Sequence, residues 1–241
     1  MDDDPMARSP IAAAATANRH HVLRELLTNG VAPNEPDRYG DTPLHLASNA
    51  LSVKGMKVLL EFGADPNARN RAGHTPLLMV LGSTLGSTRE VDTLDCLTLL
   101  LASNADPNIG APEYFPLHLA CYGSHAHAVA LIDAGADVRL RDHLGRTPLH
   151  QACTGDRDRK EIIRLLLAHG ADPNAQDTSG RTPLHYAVAS PLSTAVKELL
   201  GTPGVLLDLI DINGNTPFDI ARQKRYSDFV ILIREEMSRP T

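Results

Sequence analysis

The chain has 241 residues, with 23 Lys and Arg against 29 Asp and Glu for a formal charge of -6, 42% hydrophobic residues, 4% aromatics, three Cys and no Trp. That apolar content excludes disorder of the whole chain, and the negative balance disfavours nucleic acid as a partner, since phosphate binding needs a surplus of Lys and Arg on one face. No apolar run approaches the roughly 20 residues of a membrane span, the acidic start Met1-Asp-Asp-Asp4 is unlike a secretory signal, and three scattered Cys make no disulfide framework, so a cytoplasmic and/or nuclear protein without membrane insertion is expected.

The first element opens at Ser9-Pro-Ile-Ala12. It is a worn form of a phrase that returns as Thr42-Pro-Leu-His45, Thr75-Pro-Leu-Leu78, Phe115-Pro-Leu-His118, Thr147-Pro-Leu-His150, Thr182-Pro-Leu-His185 and Thr216-Pro-Phe-Asp219. The starts at 9, 42, 75, 115, 147, 182 and 216 are separated by 33, 33, 40, 32, 35 and 34 residues. In each copy the Thr can cap a helix with its side-chain oxygen and the Pro takes the first helical position, so a first helix begins there. A Leu-rich second helix follows, as at Val58-Leu-Leu60 and Leu165-Leu-Leu167. It is closed by Gly63-Ala-Asp-Pro-Asn67, Asn104-Ala-Asp-Pro-Asn108, Gly135-Ala-Asp-Val138 or Gly170-Ala-Asp-Pro-Asn174, where a left-handed residue ends a helix. Gly40, Gly73, Gly145, Gly180 and Gly214 then mark a hairpin before the next Thr-Pro.

A unit of helix, turn, helix and hairpin cannot bury its own apolar face, so neighbours must stack. One repeat domain of about seven units is expected over 9–236, with disordered tails at 1–8 and 237–241. The two landmarks in register, at a period near 33, resemble the ankyrin-repeat family over nearly the whole chain. The resemblance implies an all-α dominated solenoid of helix-turn-helix units with β-hairpin connections, no enzymatic activity and no cofactor. It also implies protein binding on a concave surface of hairpin tips and first helices.

Departures from the repeat stand out. The 40-residue step holds a Gly/Ser/Thr-rich insertion, Gly82 to Thr93, which reads as a loop with Ser87 or Thr88 as a phosphorylation or partner-contact site. A charged stretch at Asp156-Arg-Asp-Arg-Lys160 reads as a solvated turn. The fourth unit puts Tyr114-Phe115 where a Thr should cap, and Tyr114 and Tyr122 are expected to share one aromatic patch.

His45, His118, His150 and His185 hold equivalent positions, but adjacent helices sit about 10 Å apart and a zinc ligand must lie within about 2 Å of its metal. They are expected to serve the Thr-Pro-Leu-His turn, and no metal is expected; His20, His21, His125 and His127 read as turn or surface residues. No phosphate loop, nucleophile elbow, zinc helix or Cys pair is present. Asn67, Asn108 and Asn174 each follow a Leu by eight residues and an Asp by two, the context in which ankyrin-repeat asparagines are hydroxylated, although Asp-Pro-Asn is also what a tight turn wants.

The family's inward, variable positions are occupied here by Arg38, Tyr39, Arg69, Arg71, His74, Tyr114, Arg141, His143, Arg146 and Arg181, with Tyr122 beside them. Arginine pairs bidentately with carboxylates and stacks on rings, so this ridge predicts a protein partner offering an acidic segment across repeats two to six. The competing reading pairs these arginines with Asp37, Asp142 and Asp177 of the same chain. A monomeric adaptor or inhibitor is expected; an assembly chaperone similar to the gankyrin-type proteasome chaperones is the alternative. A ubiquitin-ligase substrate receptor is disfavoured by the lack of room after the last repeat.

Overall fold

A computed structural model describes residues 9–83, 90–155, 157–190 and 193–238. Among them the regular structure is helical and no strand occurs. Each Thr-Pro phrase starts a first helix and each Leu-rich run forms a second. The pairs are α1 (Pro10–Thr16) with α2 (His20–Thr28), α3 (Pro43–Asn49) with α4 (Val53–Glu61), α5 (Pro76–Gly82) with α6 (Glu90–Ala102), and α7 (Pro116–Gly123) with α8 (His125–Asp133). They continue as α9 (Pro148–Ala152) with α10 (Lys160–Ala168), α11 (Pro183–Ala189) with α12 (Ser193–Leu200), and α13 (Pro217–Gln223) with α14 (Ser227–Met237).

The chain divides into two compact units, one of residues up to 119 with 133–136, the other of 120–132 with the residues from 137 onward. In the first unit α1, α3 and α5 pack in sequence, each also against its own second helix, while α2, α4 and α6 pack in a second row. Ile11, Leu23, Leu44, Met56, Leu59, Leu77, Leu81, Leu97 and Leu100 fill the space between the rows and are fully buried. Each such side chain contributes about 1.5–3 kcal/mol. In the second unit α9, α11 and α13 form one row and α10, α12 and α14 the other, around Leu149, Ile163, Leu166, Leu184, Val196, Leu199 and Ile233. Ala15 and Ala47 in one unit, Ala187 and Ala221 in the other, have no exposure, because a small residue is what lets two first helices come close.

Left-handed residues separate the elements, as a chain that reverses in one or two residues requires. Asn104 (φ 65°) stands where other units have glycine, and Asn tolerates this conformation best among the other residues. Gly40 (φ 80°) has a second reason: a Cβ there would lie 2.8 Å from the Arg71 backbone nitrogen on the next hairpin.

Three sequence expectations change. The insertion is shorter than the loop read from composition: α5 runs to Gly82 and α6 already begins at Glu90. Ser87 and Thr88 lie outside the described residues. The charged stretch of the fifth unit is not a solvated turn throughout, since Arg159 is only 7% exposed and donates to the carbonyls of Tyr122 and Thr154, although Asp156 lies outside the described residues. These carbonyls sit near the ends of α7 and α9, where a cation is favoured. His127, expected in a turn or on the surface, is buried on α8.

Candidate functional site: the hairpin tips and first helices

Each regular hairpin is built around one short polar side chain. The Oδ1 atom of Asp37 accepts the backbone N–H groups of Tyr39 and Asp41, and Asn70, Asp142, Asp177 and Asp211 do the same two and four residues ahead. The tips are tied to one another by a backbone bond, from Arg71 to Tyr39 (3.0 Å) in the first unit and from Thr178 to Leu144 (2.9 Å) and Ile212 to Ser179 (3.0 Å) in the second. These contacts stand in place of the strands of the expected β-hairpins: at these three steps the backbone ladder is one bond long.

The Thr-Pro-Leu-His phrase does two jobs. The Thr42 N–H donates to His45 Nδ1 (3.1 Å) and its hydroxyl lies 2.8 Å from the same nitrogen, so Nδ1 is an acceptor and the proton sits on Nε2. Nε2 then donates to the His74 carbonyl of the next hairpin (3.0 Å). His150 and His185 repeat this toward the carbonyls of Arg181 (3.0 Å) and Asn215 (3.1 Å). Burial holds all three imidazoles below their ordinary pKa, His150 at about 4. In the last unit Asp219 takes over the capping alone, accepting from the Thr216 N–H and hydroxyl.

The fourth hairpin breaks both rules. The position of the organising Asp is Gly110, and a Cβ there would lie 2.5 Å from the ring of Phe115. Phe115 therefore fills the space that the polar side chain has elsewhere, and in place of the capping Thr it offers no hydroxyl to His118, whose ring it faces at 5.9 Å. The third unit has Leu78 where others have the bridging His. Its link forward is made instead by Arg69, whose Nη2 donates to the Gly110 carbonyl (2.8 Å), and by His74 stacked on Tyr114 at 6.1 Å.

The sequence-predicted residues thus separate. In the first unit Arg38 lies over the exposed Tyr39 ring (4.7 Å), and Arg71 is exposed with no ion pair among the described residues. Arg69, His74 and Tyr114 are committed to the junction just described. In the second unit Arg146 pairs with the buried Asp142 carboxylate (2.7 Å) and Arg181 with Asp177 (3.2 Å), while Arg141 donates to the carbonyls of Gly145 and Gln176. Arg181 also lies over Tyr186 (4.7 Å), whose hydroxyl donates to Asp177 (2.7 Å). Burial pushes the Asp177 carboxyl up, but the Tyr186 hydroxyl, the N–H groups of Arg181 and Ser179 and the Arg181 charge outweigh it and hold it below the usual carboxylate value. His143 is exposed on its tip, and Tyr122, 44% exposed, carries the Arg159 guanidinium over its ring (4.8 Å). Tyr114 and Tyr122 fall in different halves of the chain's division into two compact units, and each ring has its own neighbour, His74 for Tyr114 and Arg159 for Tyr122.

The asparagines have a mechanical role that sequence reasoning underread. Asn67 donates through Nδ2 to the Asn104 carbonyl (2.9 Å) and accepts the Asp106 N–H (2.7 Å), clamping the next unit with both ends of its amide. Asn174 clamps Gly204 and Leu206 likewise, and Asn108 reaches the Gly135 carbonyl. Asn34, which was overlooked, clamps Gly63 and Asp65; its signal was the Ala32-Pro-Asn34 echo of Asp-Pro-Asn. Cys96, Cys121 and Cys153 are buried thiols, and burial pushes the last two well up. Among the described residues no group of three His, Cys, Asp or Glu is arranged to hold a metal, and no helix is long and apolar enough to cross a membrane.

Comparison with known proteins gives one consistent result. A family model described as ankyrin repeats (3 copies) matches residues 1–70 and 87–177, and one described as ankyrin repeats (many copies) matches 166–221. The chain is 35% identical over 118 residues to the ankyrin repeat, SAM and basic leucine zipper domain-containing protein 1 of Echinops telfairi, covering 48% of this chain and 24% of that protein. It is 36% identical over 84 residues to the ankyrin repeat and SOCS box protein 11 of Danio rerio, covering 34% and 28%. The matches thus span 24% and 28% of the length of these relatives. Among solved structures it is similar to the human ASB11 ankyrin repeat domain (TM-score 0.79, 26% identity, 97% of this chain and 100% of that one). It is also similar to the ankyrin repeat domain of Bcl-3, a member of the IkappaB family (TM-score 0.72, 26% identity, 93% and 98%).

Proposed function

The chain belongs to the ankyrin-repeat family, whose repeats generally mediate protein–protein interaction, and from that premise we propose that it is a monomeric, non-catalytic adaptor or inhibitor that binds an acidic protein segment on its hairpin-tip and first-helix face. One observation carries the reading. The carboxyl groups of the tips are turned inward, with Asp37 holding two backbone N–H groups and Asp41 holding the Asn70 amide (2.7 Å), while Arg38 and Arg71 stand exposed beside Tyr39. An acidic protein therefore presents cations and an aromatic at these tips, a combination enriched where interfaces have their anchors. The likeness to ASB11 covers an ankyrin repeat domain, so it supports the scaffold and brings no further segment with it.

Affinity capture followed by titration tests this. Arg38→Glu with Arg71→Glu should weaken binding of the captured partner at least tenfold, about 1.4 kcal/mol, leave the melting temperature unchanged, and reduce the salt dependence of binding. Arg146 is a poor test site, because its loss would leave the buried Asp142 carboxylate without its cation. A partner bound equally well by the double variant would sink the proposal.

A further inference from the structure

The second unit has a pocket of about 350 Å³ between the sixth and seventh hairpin tips, floored by α11 and α13. Its chemistry is mixed in a specific way. Two cations line it, Arg181 and Lys224, with one carboxylate, Asp211. That carboxylate already accepts the Asn213 and Asn215 N–H groups, so its charge is directed into the loop. Arg181 is held from behind by Asp177 and by the ring and hydroxyl of Tyr186, yet its side chain is still 41% exposed and a guanidinium has five donors. Lys224 is exposed just past the end of α13 and makes no ion pair among the described residues. The lining is mixed: beside the polar side chains, Ile212, 74% exposed at the tip, and Ile220 and Ala189 on the helices contribute aliphatic surface.

Ile212 is the most exposed large hydrophobic among the described residues, so covering it would remove apolar surface from water, and the flanking charges say what can cover it. A volume near the lower end of ligand-pocket sizes takes one side chain and its neighbour. We infer that this pocket is the subsite in which an extended acidic segment of the partner seats one aliphatic side chain against Ile212, with an adjacent Asp or Glu between Arg181 and Lys224. The inference rests on the reading of the chain as a binder of acidic segments and adds a position and a residue pattern to it.

The test uses a random dodecapeptide library displayed on phage and selected against the full chain, with the enriched peptides synthesised and titrated. Enriched sequences should hold an Asp or Glu within two residues of a Leu, Ile or Val. Their Kd should rise at least tenfold in Ile212→Ser and in Lys224→Glu, and change less than twofold in Arg71→Glu, since Arg71 is not among the residues that line the pocket. Both altered side chains are exposed, so the melting temperature should hold and a binding loss is not a folding loss. Enriched peptides that are acidic but insensitive to Ile212→Ser and Lys224→Glu overturn the subsite; if Arg71→Glu weakens them, the broader reading stands without it. Enrichment of basic peptides, or of none, overturns both.

Discussion

Two junctions in the first unit solve one problem with different chemistry. Between the second and third repeats, a neutral imidazole caps its own helix through Nδ1 and bridges to the His74 carbonyl through Nε2. Between the third and fourth, Leu78 has replaced the imidazole, and the bridge is the Arg69 guanidinium on the Gly110 carbonyl with the His74–Tyr114 stack beside it. The departures at Leu78, Gly110, Tyr114 and Phe115 therefore all bear on one junction. An imidazole bridge works only while neutral, because protonation of Nδ1 would set two donors face to face; a guanidinium bridge has no such condition.

The largest expected effect follows from that difference. A buried imidazole whose folded pKa lies below its unfolded value near 6.5 contributes stability that is full above that pH and lost as pH falls toward the folded value. For His150, held at about 4, the loss is on the order of 3 kcal/mol, and His45 and His185 add in the same direction. Asp177, Asp211 and Asp219 are held below the usual carboxylate value, so their contributions fade only below about pH 4. The interval from 6.5 to 4.5 thus isolates the imidazoles. Urea unfolding should show stability falling across it, with a shallower fall in His150→Leu; a flat profile in the wild type would break the comparison at its imidazole side.

The other junction is probed at Gly110. Alanine there brings a Cβ to 2.5 Å from the Phe115 ring, an overpacking that costs about 1–3 kcal/mol. Gly110→Asp should be worse alone and improve by about 2 kcal/mol when Phe115→Thr is added, since the two changes touch and together restore the organising Asp and the capping hydroxyl. Additive effects in denaturant melts would mean that the ring and the missing side chain do not compete for one space.

The repeat, the helix starts and the structural role of the histidines were legible in the sequence because each rests on a local rule: Thr caps, Pro sets φ, Gly turns. What was missed lies in contacts between neighbouring repeats. Asn67 reads as a turn residue until its amide is seen to hold the next repeat, and the charged neighbours of Arg159 conceal that its guanidinium is buried over Tyr122. The ridge of arginines was read as one class. Arg146 and Arg181 pair with Asp142 and Asp177 of the same chain, Arg69 bridges a junction, and Arg38 and Arg71 face outward. Spacing alone cannot make that division, since all are presented by similar hairpins and differ only in what stands within reach.

The smallest effect tests that division directly. Arg69 makes a charged hydrogen bond to a carbonyl at a partly exposed site, worth about 1 kcal/mol, whereas Arg71 contributes its backbone N–H to the tip ladder and leaves its guanidinium to solvent. Arg69→Ala should therefore lower the unfolding free energy by about 1 kcal/mol. Arg71→Ala should stay within about 0.5 kcal/mol of the wild type, as surface substitutions do. Partner affinity should sort the same two residues in the opposite order. Equal stability losses at both positions would place Arg71 in the scaffold with Arg69, and the outward face of the first unit would then lose one of the two cations on which acidic recognition rests.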